Sequence, residues 1–380
     1  MMSTPAEKRT EASLAAFAWY FLRLGCFGFG GPIALVGYMQ KDLVEERRWV
    51  SQEDYLNGLA FSQLAPGPLA AQLAMYLGYV RAGFLGATIV GVAFILPSFL
   101  MVLAIGKAYV RFGGTKVISA LFYGIGAAVI AIIARSALKL VKTSVKKDKL
   151  LWIVFLALAV STAITEKEIV WLFLAGGVIV LIARTDFSAW KLRRAMFCFI
   201  PPGLGALSTT GPLFVFFVKS SLFVFGSGLA IVPFLHGGVV QERHWLTEAQ
   251  FLDAVAVAMI TPGPVVITVA FIGYIVGGPV GACAAALGVF LPVYLFVVVL
   301  GPFYKRFSEN PQIRAFVQGV TAAATGAIAG AVFVLAKHSI RDAWTVAIAV
   351  VTLLILMKWK VPEPIIILVA GLLGLAIRLR

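Results

Sequence analysis

Hydrophobic residues fill long stretches of this chain that no charged residue interrupts. Residues 55–80, 82–106, 117–134, 195–218, 220–241 and 315–336 form such runs, each near or above the roughly 20 residues that cross a bilayer as a helix. Residues 254–304 are long enough for two crossings, and Gly277-Gly278-Pro279 supplies a turn between them. Shorter apolar runs, 150–165 with 169–183 and 343–357 with 364–377, read as tight hairpins that close each half of the chain. The pattern predicts an all-α polytopic membrane protein with about twelve membrane segments. Residues 12–40 carry a single charge, Arg23. A signal peptide would have a shorter apolar core and a small-residue cleavage site, so this first segment is expected to stay in the mature protein.

The two halves, 1–195 and 196–380, carry the same element. Residues 21–68 align without a gap to residues 217–264, with 15 identities in 48 positions. The matched residues are specific ones. Phe27-Gly28-Phe29-Gly30-Gly31-Pro32 corresponds to Phe223-Val224-Phe225-Gly226-Ser227-Gly228. A charged segment follows, with Glu46, Arg47 and Trp49 matching Glu242, Arg243 and Trp245, and then Pro66-Gly67-Pro68 matches Pro262-Gly263-Pro264. Membrane proteins built from such internal repeats are most often transporters. Six crossings per half would make the halves parallel; an odd number, with one glycine-broken segment entering and leaving by the same face, would invert them. The residues alone leave both arrangements open.

Composition agrees with the pattern: 61% of residues are apolar, 13% are charged and the mean hydropathy is +0.97. The net charge of +15 would suggest nucleic acid in a soluble protein. Here Lys139, Lys142, Lys146, Lys147 and Lys149 form one basic cluster, and Arg184, Lys191, Arg193 and Arg194 another, both at ends of hydrophobic runs. They fit cytoplasmic loops and anionic lipid headgroups, with no nucleic-acid partner. Counting back places the amino terminus inside and residues 41–53 outside. Cys26, Cys198 and Cys283 are single and far apart, which indicates neither disulfide nor metal.

Glycine and proline inside a membrane segment leave backbone groups without helical partners, at several kcal/mol each in hydrocarbon. Such breaks survive where they are buried in protein or line a wet cavity. The new half-helix that follows a break presents free N–H groups and a positive dipole end, which attract an anion. The candidate substrate-binding set is therefore Gly28, Gly30, Gly31, Gln63, Pro66, Gly67 and Pro68 with Gly226, Ser227, Thr261, Pro262, Gly263 and Pro264. Arg23 and Lys219 share one repeat position just before the glycine stretch and would add positive charge, snorkelling being the alternative. Glu46, Arg47, Glu242 and Arg243 are candidates for coupling or gating. Asp253, opposite Asn57 in the repeat, could serve as cap, counter-ion or proton site.

The order FGFGGP, Glu46-Arg47-Arg48-Trp49 and Gln63-Leu64-Ala65-Pro66-Gly67-Pro68 resembles the chromate ion transporter family. The second copy, Gln241-Glu242-Arg243-His244-Trp245 with Thr261-Pro262-Gly263-Pro264, resembles the carboxy-terminal half of its long, two-domain members. The resemblance implies a secondary transporter in the bacterial inner membrane, its two halves an inverted repeat, that exports chromate and confers chromate resistance. Protons are the coupling ion considered, and a homodimer is an assembly it allows. Sulfate, a tetrahedral dianion of similar size, is the nearest alternative substrate, and a passive anion channel the alternative mode. No P-loop and no HExxH occur, so neither a cofactor nor an enzymatic activity is expected.

Overall fold

The computed structural model describes residues 12–112, 115–145, 148–166, 170–185, 210–222, 231–303, 310–340, 342–359 and 361–379. Every element among them is helical. In the first half, α1 (Leu14–Phe27) is capped by the Ser13 side chain and stops at Gly28. Gly30 and Gly31, at φ 105° and 73°, turn the chain into α2 (Gly31–Met39), with Pro32 in its first turn. The helix continues as wider turns over Gln40–Glu46. Then come α3 (Gln52–Leu64), α4 (Leu69–Phe112), α5 (Lys116–Ser144), α6 (Lys149–Thr165) and α7 (Val170–Arg184). The second half repeats this order as α8 (Thr210–Ser221), α9 (Ile231–His236) with wide turns Gly237–Glu242, α10 (Glu248–Ile260), α11 (Thr268–Leu295), α12 (Pro311–Ser339), α13 (Ala343–Lys358) and α14 (Glu363–Arg378).

The breaks are repeated as faithfully as the helices. α4 bends back on itself at Ala82–Gly83 and α11 at Gly277–Gly278, where Gly83 and Gly278 take φ values of 57° and 61°. The arms on either side of each bend touch through paired glycines, Gly78 on Gly86 and Gly273 on Gly281, so backbone packs directly on backbone. The turn expected at Gly277-Gly278 is therefore present, and an equivalent one cuts the first half.

Among the described residues four helices are long and apolar enough to cross a membrane: Leu69–Phe112, Lys116–Ser144, Val265–Phe303 and Pro311–Lys337. Helices such as Leu14–Phe27 have 14 residues, roughly 21 Å at 1.5 Å per residue, and do not span alone. The charge-free run 55–80, which reads as one crossing, is divided by the break between α3 and α4.

Residues 41–53 also lie elsewhere than expected. The Arg47 guanidinium sits 5.6 Å from the Tyr20 ring centroid and Trp49 6.3 Å from Phe17. These contacts return the segment to the end of the molecule where α1 begins, because α2 doubles back at Gly28–Gly31 instead of continuing across.

The halves exchange their closing hairpins. α6 and α7 pack on α12 of the second half, whereas α13 and α14 pack on α5 of the first. Glycines set both contacts: Gly124 lies against the backbone of Ala370 and Gly374, and Gly319 against Gly176 and Gly177. Tyr123 of α5 donates to both Asp342 carboxylate oxygens, at 2.6 and 2.5 Å, and Lys337 of α12 meets Glu166 at 3.0 Å. The Tyr123 hydroxyl and the Thr345 N–H hold the Asp342 carboxyl below its ordinary range.

Candidate functional site

Each helix break leaves backbone groups that something must satisfy, and one of these bonds runs from one half to the other. The Gly263 N–H, between two prolines that have none, donates to the Gly28 carbonyl at 2.8 Å. Gly28 is the C-cap of α1, so its carbonyl has no helical donor to meet. Ser98, fully buried on the second arm of α4, donates to the neighbouring Gly25 carbonyl at 3.4 Å. A Cβ on Gly263 would run into the Ser98 hydroxyl, and Gly263 holds φ 94°. The matching place in the first half is equally crowded. A Cβ on Gly67, at φ 137°, would lie 2.8 Å from Val293, the repeat counterpart of Ser98, and 2.8 Å from Gln72.

The first turns of α4 and of Val265–Ile267 start directly after these breaks. Leu69, Ala70, Val265 and Val266 are buried there, and first-turn N–H groups have no carbonyl within their own helix. Gln72 is fully buried; its amide N–H donates to the Pro66 carbonyl at 2.7 Å, while its Oε1 has no hydrogen-bond partner among the described residues. Buried half-helix starts, backbone donors and an amide are groups suited to a small oxyanion.

The family model described as Chromate transporter matches residues 15–181 and 211–375, one match per repeat. The chain belongs to the chromate transporter family. It is 59% identical over 373 residues to the chromate transport protein of Cupriavidus metallidurans, covering 96% of this chain and 93% of that one. It is 52% identical to a probable chromate transport protein of Synechococcus elongatus, with 95% of each chain covered. The chromate transport protein of Pseudomonas aeruginosa is 32% identical, with 93% and 90% covered. No solved structure matches the chain.

Within this chromate transporter family fold, the residues expected at the site divide into groups. Gly28, Gly67, Pro68, Thr261, Pro262, Gly263 and Pro264 are buried at the junction of the halves, with Pro66 partly so. The Thr261 hydroxyl is engaged by the Val257 carbonyl at 2.6 Å. Gly30 and Gly31 form the turn into α2; Gly30 is exposed and Gly31 half-buried. Gly226 and Ser227 lie outside the described residues. Gln63 is exposed on α3, away from the buried turn that follows it. Arg23 and Lys219 are exposed on α1 and α8, and neither has a hydrogen-bonded or ion-paired partner among the described residues.

The charged segments have a packing role. Arg47 lies between Tyr20 and Trp49, at 5.6 and 4.7 Å from the ring centroids, and Arg243 lies between Phe216 and Trp245, at 5.3 and 4.8 Å. Each arginine latches its loop to the helix that precedes the glycine break. Glu46 pairs with Lys41 at 3.5 Å, and Glu242 is exposed. Sequence reasoning missed Gln72, Ser98 and Tyr109, whose hydroxyl donates to the Asp253 carboxylate of the other half at 2.6 Å. Gln72 and Ser98 were visible as polar residues inside charge-free runs, but nothing in the sequence tied Tyr109 to the other half.

Proposed function

We propose that the protein is a secondary transporter of the inner membrane that exports chromate, holding the dianion where the broken helices of two oppositely oriented repeats meet. The observation that carries this reading is the Gly263 N–H to Gly28 carbonyl bond, which links a break of one repeat to a break of the other. A break in one half thus finishes its hydrogen bonding only through the other, which supports a single shared site over one site per half. Movement of one half against the other would release these backbone groups to a dianion, and a tetrahedral oxyanion can accept from several N–H groups at once.

The inverted orientation is supported by contacts at both ends of the molecule. Tyr109, near the end of α4, meets Asp253, near the start of α10, at 2.6 Å. Gly106 packs on Tyr274, just before the α11 bend. At the opposite end Thr88, just after the α4 bend, meets Tyr294 near the end of α11 at 2.7 Å. The bend of each repeat thus lies beside the far end of its counterpart, as opposite orientation requires. That arrangement also calls for an odd number of crossings between the copies, for which the charge-free run 195–218 has the composition.

The deciding experiment is flux of radiolabelled chromate in proteoliposomes, with sulfate as competitor and an imposed proton gradient or membrane potential. Accumulation against the chromate gradient, weakly inhibited by sulfate, is the expected result. Flux that only ever runs downhill would indicate a channel, and stronger competition by sulfate than by unlabelled chromate would move the substrate assignment to sulfate.

A further inference from the structure

At three matched positions the second copy of the repeat carries an ionisable group where the first has a neutral amide. Gln40, Gln52 and Asn57 of the first copy are replaced in the second by His236, Glu248 and Asp253. Three neutral amides thus face three ionisable groups at matched positions. His236 and Glu248 answer each other, at 2.7 Å. Asp253 does not have that option. It is 8% exposed, and its one hydrogen-bond partner among the described residues is the Tyr109 hydroxyl, which reaches it from the other half.

Ionisable groups on the elements around α10 are committed elsewhere. On α5, Tyr123 donates to Asp342, and Arg378 of α14 lies over the Tyr123 ring. Glu363 of α14 lies by Arg135 and Lys139 of α5. Tyr274 of α11 packs on Gly106, and Lys337 of α12 meets Glu166. Lys107 and Arg111 of α4 and Lys116 of α5 are exposed. Asp253 is therefore a carboxyl withdrawn from water with no counter-ion among the described residues, an arrangement that disfavours a fixed charge and suits a group that changes charge.

We propose that Asp253 is the group that carries the coupling proton. Protonation forms one O–H bond on a carboxylate oxygen with a proton taken from water, and release to water reverses it; no electrons are exchanged. The Tyr109–Asp253 contact crosses the boundary between the halves, so a motion that separates them also uncovers the carboxyl. Proton exchange and reshaping of the Gly28–Gly263 junction are then steps of one movement. This inference rests on the reading of the protein as an oxyanion transporter.

The test uses full-length protein in vesicles loaded with a pH-sensitive dye, measuring protons moved per labelled chromate. Wild type is expected to move protons with chromate. D253N is expected to fall to the level of empty vesicles while still exchanging chromate for chromate; Asn57 shows that this fold position accepts an amide. Y109F should retain proton movement with an altered pH profile. Equal proton-to-chromate ratios in D253N and wild type, or chromate flux in wild type without protons, would overturn the assignment. If wild type moves neither chromate nor sulfate, the transport reading fails by itself. Infrared titration then decides the proton site: a carboxyl band that titrates in wild type and is missing in D253N supports it, and an unchanged band overturns it.

Discussion

At Gly263 two demands fall on one residue: a left-handed backbone, and no space for a Cβ between Ser98 and the Gly25 carbonyl. Alanine at positive φ costs roughly 1–2 kcal/mol, and here it would also push the Gly263 N–H away from Gly28. G263A is expected to lower chromate flux at least about tenfold, a loss of about 1.4 kcal/mol in transition-state stabilisation, while the protein still inserts. G83A is the control, because Gly83 has positive φ but open space around it. It should transport near the wild-type rate, and equal losses in both variants would reduce the effect at Gly263 to backbone strain. Arg47 and Arg243 call for the opposite expectation. Their guanidinium groups pack on aromatic faces, contacts worth about 0.5–2 kcal/mol each. R47Q and R243Q should therefore lower the melting temperature in detergent with little change in the apparent affinity for chromate; a large change in affinity with unaltered stability would return them to a gating role.

Among the elements, the breaks were the part most open to reading from sequence, because glycine and proline state their backbone chemistry directly. Gly28–Gly31, Pro66-Gly67-Pro68 and Gly277-Gly278 all interrupt helices as expected. Which way the chain goes after a break was not readable. A charge-free run such as 55–80 has the same composition whether it crosses once or turns back midway, so hydropathy counted α3 and the first arm of α4 as one span. The runs 55–80 and 82–106 part at Arg81, so a reversal there was readable, but not that its two arms meet glycine on glycine. The bend depends on Gly78 and Gly86 lying backbone to backbone. G78L and G273L, which put a large side chain into that contact, should each cost at least the roughly 1–3 kcal/mol of an overpacked core and reduce the folded yield. G37A, in a helix with nothing within 4 Å, should be neutral or slightly stabilising. Size-exclusion profiles and thermal unfolding of the three variants check this, and an undisturbed G78L would show that the arms can separate without loss.

At the scale of the whole molecule, the exchanged hairpins could not be read from sequence. The apolar faces of α6 and α7 would suit α5 of their own half as well as α12 of the other, and only the three-dimensional pairing of Gly124 with Gly374 and of Gly319 with Gly176 decides between them. The exchange means that neither half covers the faces of its own closing hairpin. Cut from its partner, the first half leaves α5 without α13 and α14, and α6 and α7 without α12. Such uncovered backbone-close, glycine-lined faces are poor surfaces to leave against lipid, because the small residues that permit close packing bring few contacts of their own. Residues 1–195 and 196–380 produced as separate polypeptides should each be degraded or recovered misfolded. Produced together they should associate, co-purify and regain chromate flux, since the exchanged packing needs no covalent link between the halves. Comparable folded yield and stability of either half made alone, judged by thermal unfolding in detergent, would contradict the exchanged arrangement, and failure of the co-produced halves to associate would count against it as well.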